Sequence, residues 1–114
     1  MSDLVDVRTA LAELTNLEIV IAESGCDAAE IVSQLRKSGA GTVLLLIDSS
    51  VPTLDRAMLR AAIGPLAIER APLARIGAID IADGAAMADI VAAASYLVSA
   101  RSTTGQILAV TPSD

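Results

Sequence analysis

The 114-residue sequence contains no histidine, a single cysteine, Cys26, and a single aromatic residue, Tyr96. Without histidine the most common general base and zinc ligand are missing, and one thiol forms neither an intrachain disulfide nor a thiolate cluster. These absences exclude a metal site built on nitrogen or sulfur ligands, so we expect no metal of that kind. Because 54% of the residues are apolar and nearly none is aromatic, the core must be packed with aliphatic side chains.

Positive charge is also scarce. Lys37 is the only lysine, and 8 basic residues stand against 14 acidic ones, which gives a formal net charge of -6. Nucleic acids are bound by basic stripes and aromatic platforms, and the sequence offers neither, so we expect no nucleic-acid partner. The longest apolar runs fall far short of the roughly 20 residues of a membrane-spanning helix, and the acidic N-terminus is unlike a signal peptide. The prediction is a cytoplasmic protein that makes no membrane contact and keeps Cys26 reduced.

Apolar strands and helices alternate along the chain. Runs rich in β-branched residues predict four strands, and apolar residues spaced three and four apart predict four helices. Strands that alternate with helices imply parallel crossover connections. The predicted fold class is therefore α/β, one domain over residues 1–114 with about four parallel strands. The predicted strands cover 17–22, 42–47, 75–81 and 106–110, and the predicted helices cover 3–15, 28–37, 53–70 and 85–100.

A few polar residues lie at the carboxyl ends of the predicted strands, where α/β proteins hold their working groups. Asp48 and Ser50 follow the second strand, and Asp80 lies near the end of the third. Ser50 has no histidine to activate it, which favours a structural turn. The carboxylates of Asp48 and Asp80 could instead approach each other as an acid and base pair or as a divalent-cation site. The sequence leaves both interpretations open.

The turn after the first strand, Ala22-Glu23-Ser24-Gly25, leads into a helix that Asp27 is placed to cap. Phosphate-binding turns have this position, but they are glycine-rich and bind the anion at the helix N-terminus. Here Glu23 and Asp27 place negative charge where a pyrophosphate would lie. We therefore expect no dinucleotide at this turn.

Four segments share the order and character of one known family. Residues 17–25 end a strand in Ala-Glu-Ser-Gly, 35–50 run through helix, turn and strand to Ser50, 56–72 form a long helix, and 89–110 hold a helix, Thr-Gly-Gln and a strand. Together they resemble the C-terminal half of a short-chain dehydrogenase/reductase, the single-domain Rossmann family that transfers hydride between NAD(P) and an alcohol or ketone. The resemblance implies a partial Rossmann-like three-layer sandwich, with Ser50 at the catalytic serine position.

The departures from the family pattern concern the cofactor and the catalytic groups. The N-terminal dinucleotide-binding units of the family have no counterpart in the sequence, and its Asn-Asn-Ala-Gly segment has become Ala22-Glu-Ser-Gly25. The tyrosine position falls near Pro52 or Thr53, and the lysine position falls on Arg56. What the resemblance implies is a degenerate remnant at Ser50, no cofactor bound by this chain and no catalysis by this chain alone.

The segments that remain resemble those with which the family builds tetramers. This resemblance implies a non-catalytic subunit that assembles with and stabilises a catalytic NAD(P)-dependent subunit. Hydroxyacyl thioesters are a reasonable substrate class for that catalytic subunit. A first alternative is a self-associating domain of the same descent with a binding or structural role. A second is a small cofactor-independent enzyme that uses Asp48, Ser50 or Asp80.

The predicted contact surface is the last helix with the last strand, where Tyr96 is the only aromatic anchor available. Packing of Tyr96 in the core is an equally good interpretation. The strand 17–22 is a further candidate, because it would leave a hydrophobic edge open to association. Three arginines of the long third helix are predicted to form a solvated or partner-facing edge rather than an anion site. The contact residues are Tyr96, Gln106, Leu108 and Val110, and the arginines are Arg56, Arg60 and Arg70.

Overall fold

The computed structural model describes residues 4–11, 16–100 and 103–112. Helices and strands alternate along the chain, as the hydrophobic periodicity predicts. The elements are α1 Leu4–Ala10, β1 Leu17–Ala22, α2 Ala28–Lys37, β2 Thr42–Ile47, α3 Thr53–Arg70, β3 Arg75–Ile81, α4 Met87–Ser99 and β4 Ile107–Val110.

The four strands form one parallel sheet in the order β1-β2-β3-β4. All six residues of β2 are buried, because helices cover both faces of the sheet at its centre. This double burial explains why the run Thr42–Ile47 is apolar nearly throughout and does not alternate with polar residues. The predicted α/β class and the parallel sheet of four strands are confirmed.

Two aliphatic cores lie on opposite faces of the sheet. On one face, α2 and α3 pack through Leu35, Leu59 and Ile63. On the other face, α1 and α4 pack through Val7 and Leu97. The result is a three-layer sandwich whose cores contain no aromatic side chain among the described residues.

The third strand connection has the opposite hand to the first two. The sheet advances in one direction from β1 to β4, but α2 and α3 lie on one face and α4 lies on the other. Parallel crossovers are right-handed in about 98% of cases, so this chain contains an exception. Because α4 crosses to the far face, α3 has a helical neighbour, α2, on one side only in the described part of the chain.

Helix and strand ends differ from the predicted bounds by a few residues. The predicted first helix, 3–15, ends at Ala10 in the structure, and residues 3 and 12–15 lie outside the described part. The last helix begins at Met87 rather than at residue 85, because the amide of Ala85 closes a turn onto the carbonyl of Ala82. The last strand begins at Ile107 rather than at residue 106.

Arg75, at the start of β3, fixes the C-terminal end of α4. Its guanidinium donates to the carbonyl oxygens of Ala100 at 2.8 Å and Val98 at 3.0 Å, and to Thr42 Oγ1 at 2.9 Å. The last carbonyls of a helix have no partner within the helix and carry partial negative charge. Arg75 therefore supplies the donors that the end of α4 needs.

Candidate functional site

The carboxyl ends of β1, β2 and β3 open into a cleft of about 710 Å³. The loops after the three strands form its polar side, and α1 and α4 form its apolar wall. Clefts at this edge of a parallel sheet are where α/β proteins bind ligands. The polar side chains are those of Glu23, Ser24, Asp48, Ser49, Ser50 and Asp83, and the apolar wall includes Leu4, Ile81, Met87 and Ile90.

The hydroxyl of Ser50 is committed to hydrogen bonds within the loops. It donates to Asp48 Oδ2 at 2.5 Å and accepts from the amide of Ser24 at 3.0 Å. The same carboxylate oxygen accepts the amide of Ser50 at 3.2 Å. Ser50 thus ties the loop after β2 to the loop after β1, which is the structural role that the sequence favoured.

The structure does not bring Asp48 and Asp80 together as an acid and base pair or a cation site. Asp80 Oδ2 accepts from Arg60 at 2.5 Å, and its other oxygen accepts from Arg56. Side chains alternate along a strand, so Ile81 lines the cleft while Asp80 points toward α3 on the opposite face. The described residues contain no group of three or more acidic or sulfur side chains able to hold a metal ion.

The prediction of a solvated arginine edge on α3 is wrong for Arg56 and Arg70. Arg56 binds Asp80 and also donates to the carbonyl of Asp48 at 2.9 Å. Arg70 donates to the carbonyl of Ser38 at 2.8 Å and is half-buried. Only Arg60 keeps 42% of its side chain exposed, and it also binds Asp80. These arginines brace α3 against the sheet and the end of α2.

The two carboxylates that the sequence places at the head of α2 lie there in the structure. Asp27 caps the helix by accepting the amide of Ala29 at 3.0 Å, so the chain's own carboxylate occupies the N-terminal end. Glu23 lines the adjacent cleft. Gly25, with a φ of 87°, makes the turn between them.

Cys26 lies beside this turn, and its pKa is raised above the ordinary value by burial and by the nearby carboxylate of Asp55. Because the thiolate is the nucleophile, we expect iodoacetamide to alkylate Cys26 several-fold more slowly at pH 7.5 than it alkylates a free model thiol. The rate should increase in Asp55→Asn, which removes the repelling charge. A rate equal to that of the model thiol in the folded protein contradicts this assignment.

Replacing Ser50 with alanine tests the structural interpretation of its hydroxyl. We expect Ser50→Ala to cost about 1 kcal/mol of unfolding free energy, because the exposed loop loses one hydrogen bond on each side. Chemical denaturation measures this cost. A change several times larger would show that the loop tie carries more of the fold than its exposure indicates.

The predicted contact residues divide into exposed and buried ones. Tyr96 is 54% exposed, which excludes the alternative that it packs in the core. Gln106 is exposed and Leu108 is half-buried. Val110 is only 7% exposed and belongs to the core between the sheet and α4, so its side chain is not free for a partner.

Three of the five large apolar side chains that are exposed in the described residues lie on α3, and they were not predicted from the sequence. Leu54, Met58 and Ile68 are 71%, 50% and 80% exposed. With Ala61 and Pro65 they recur at spacings of three and four, which places them on one face of the helix. We call these five residues the α3 stripe. The buried residues of α3 lie on the opposite face, so this helix is apolar on both sides.

Comparison with known protein families identifies a match over most of the chain. Residues 6–110 match the sequence model of a family described as short chain dehydrogenase-like protein. The match covers all four strands and α2, α3 and α4. No curated protein and no solved structure shows significant similarity to the chain. In the described residues, no helix is both long enough and apolar enough to cross a membrane.

Proposed function

Since the chain belongs to the short-chain dehydrogenase-like family, we propose that it is a non-catalytic subunit that assembles with and stabilises a catalytic, NAD(P)-dependent short-chain dehydrogenase. The observation that carries the proposal is the α3 stripe. A helix that is apolar on the outside as well as on the inside is typical of an interface, because isolated monomers rarely expose such a continuous apolar face. The partner is the source of the cofactor site and of the reacting groups.

The cleft supports the non-catalytic part of the proposal. Ser50 lies at the position that resembles the family's catalytic serine, and its hydroxyl donates a hydrogen bond to Asp48. The residue at the lysine position, Arg56, is held by Asp80 away from the cleft. No tyrosine or lysine lines the cleft in the described part of the chain. The cleft therefore offers neither a phenol nor an ammonium group for a proton relay among its described residues.

The head of α2 does not fit the pyrophosphate of a dinucleotide. In proteins that bind a pyrophosphate in this way, free backbone amides at the positively polarised N-terminus of a helix hold the group. Here Asp27 accepts the amide of Ala29, and Glu23 adds a second negative charge at the cleft. We therefore place NAD(P) in the partner subunit and derive no chemical step from this chain.

Co-expression of this chain with a short-chain dehydrogenase encoded beside it, followed by native mass spectrometry, tests the proposal. The expected result is a hetero-oligomer of fixed ratio that survives purification. Turnover by the complex is then assayed with hydroxyacyl thioesters, the substrate class that we propose for the partner. Failure of every neighbouring dehydrogenase to co-purify, together with turnover by this chain alone, contradicts the proposal.

A further inference from the structure

The outer edge of β1 presents main-chain groups in a self-complementary pattern. The carbonyls of Asn16 and Ala22 accept the amides of Thr42, the first residue of β2, and of Asp48, which directly follows β2. Because successive residues of a strand direct their amide and carbonyl to alternate sides, Leu17, Ile19 and Ile21 direct theirs away from the sheet. No strand pairs with this edge among the described residues. Three apolar residues thus offer three donors and three acceptors at regular spacing.

The solvent-facing side of α2, turned away from α3, carries a complementary pair of charges. Arg36 bonds to Glu69 of α3 at 2.6 Å, which shows which flank of α2 faces α3. At 100° per residue, Glu30 and Lys37 lie roughly 100–120° around the helix from Arg36, on the solvent-facing side of α2 and turned away from α3. Both are exposed, and neither has an ion-pair partner in the described part of the chain. Glu30 is in the first turn of α2, and Lys37 is its last residue.

We propose that β1 is a strand-addition site whose occupant is β1 of a second copy of this chain. A two-fold axis perpendicular to the sheet, centred on Ile19, pairs the two strands antiparallel and sets Leu17 opposite Ile21 of the other copy. The same axis makes the two α2 helices antiparallel, which brings Glu30 of each copy toward Lys37 of the other. Strand pairing and charge thus select the same arrangement, an eight-stranded continuous sheet.

Arg8 of α1 limits this pairing. Its guanidinium donates to the carbonyl of Ile19 at 2.7 Å, and that carbonyl is the central acceptor of the outer edge. A charged group at an open strand edge protects the edge from unwanted pairing. The copies must displace Arg8 to join, which weakens the dimer. The dimer contains only copies of this chain, so its formation does not depend on a dehydrogenase partner.

Sedimentation equilibrium of the chain alone, with charge reversals on α2, tests the arrangement. Glu30→Lys and Lys37→Glu should each raise the dissociation constant roughly tenfold, since each creates two like-charge pairs. The double variant restores both pairs with reversed sign and should return to within about twofold of the original value. Asp83→Lys, a reversal in the exposed loop after β3 and away from β1 and α2, is the control and should change nothing.

Two further variants test the strand edge itself. Arg8→Ala should lower the dissociation constant about tenfold, because the bond to Ile19 no longer competes, while Arg36→Ala should leave it unchanged. In a Cys26→Ser background, Leu17→Cys with Ile21→Cys should form intermolecular disulfides on mild oxidation, since opposed residues of a hydrogen-bonded pair lie within disulfide range. A monomer in both the original and the Arg8→Ala protein overturns the proposal. The proposal is also overturned by a dimer whose dissociation constant does not respond to the α2 charge reversals and whose cysteine variant does not cross-link.

Discussion

Replacing Leu54 and Ile68 of the α3 stripe with glutamate is expected to abolish capture of the chain by the proposed dehydrogenase partner. Each side chain is more than two-thirds exposed in the isolated chain and would be buried in the complex. Losing both contacts and desolvating two carboxylates should weaken assembly by about 100-fold or more. Competition between tagged variant and untagged original chain for co-expressed dehydrogenase, read by native mass spectrometry, measures the effect.

The matched control is Gln34→Glu combined with Ala29→Glu. It adds the same charge at exposed positions of α2, outside both the stripe and the predicted contact surface of α4 and β4. Neither double variant should lower the melting temperature much, because all four positions face solvent. Normal capture of Leu54→Glu/Ile68→Glu would show that the partner does not use the α3 stripe. If Leu54→Glu/Ile68→Glu unfolds, the side chains of Leu54 and Ile68 contribute to folding of the isolated chain and are not free for a partner.

Arg75→Ala is expected to lower the unfolding free energy by about 2–4 kcal/mol. The substitution leaves the carbonyl of Val98 without its donor and removes the bonds to Thr42 and to the carbonyl of Ala100, which keeps its bonds from Thr103. These acceptors are half-buried or buried, so water replaces the lost donor poorly. Urea denaturation monitored by circular dichroism gives the value.

Arg36→Ala is the control for Arg75→Ala because it also removes one arginine and its hydrogen bond. Arg36 binds Glu69 where both side chains are about half exposed. Exposed ion pairs contribute less than about 1 kcal/mol, so this variant should unfold near the original midpoint. Equal losses in the two variants would contradict the role that the structure gives Arg75 at the end of α4.

The strands and the long helices were predictable because their signals are local. The runs at 17–22, 42–47 and 75–81 and the helices at 28–37 and 53–70 have the predicted bounds. Their β-branched content and their spacing of apolar residues are read from neighbours in the chain. The Asp27 cap of α2 was likewise evident, since its acceptor and its amide donor are two residues apart.

The features that were missed depend on contacts between distant segments. Asp80 and Arg56 are 24 residues apart, and whether a strand-end carboxylate points to the cleft or to α3 depends on register. The α3 stripe was hidden because both faces of the helix are apolar, so periodicity did not show which one is buried. The face on which α4 packs was hidden too, because the general handedness rule gives the other one.

The assignment of the chemistry to the partner has one direct test, the turnover of the assembled complex with inactivating substitutions placed in one subunit at a time. Ser50→Ala with Arg56→Met in this chain should leave kcat within about twofold, provided the complex remains assembled. Replacing the partner's active-site tyrosine with phenylalanine should abolish turnover. Loss of kcat on substituting Ser50 and Arg56 in an intact complex, with turnover retained in the partner variant, would place the reaction in this chain and contradict the account.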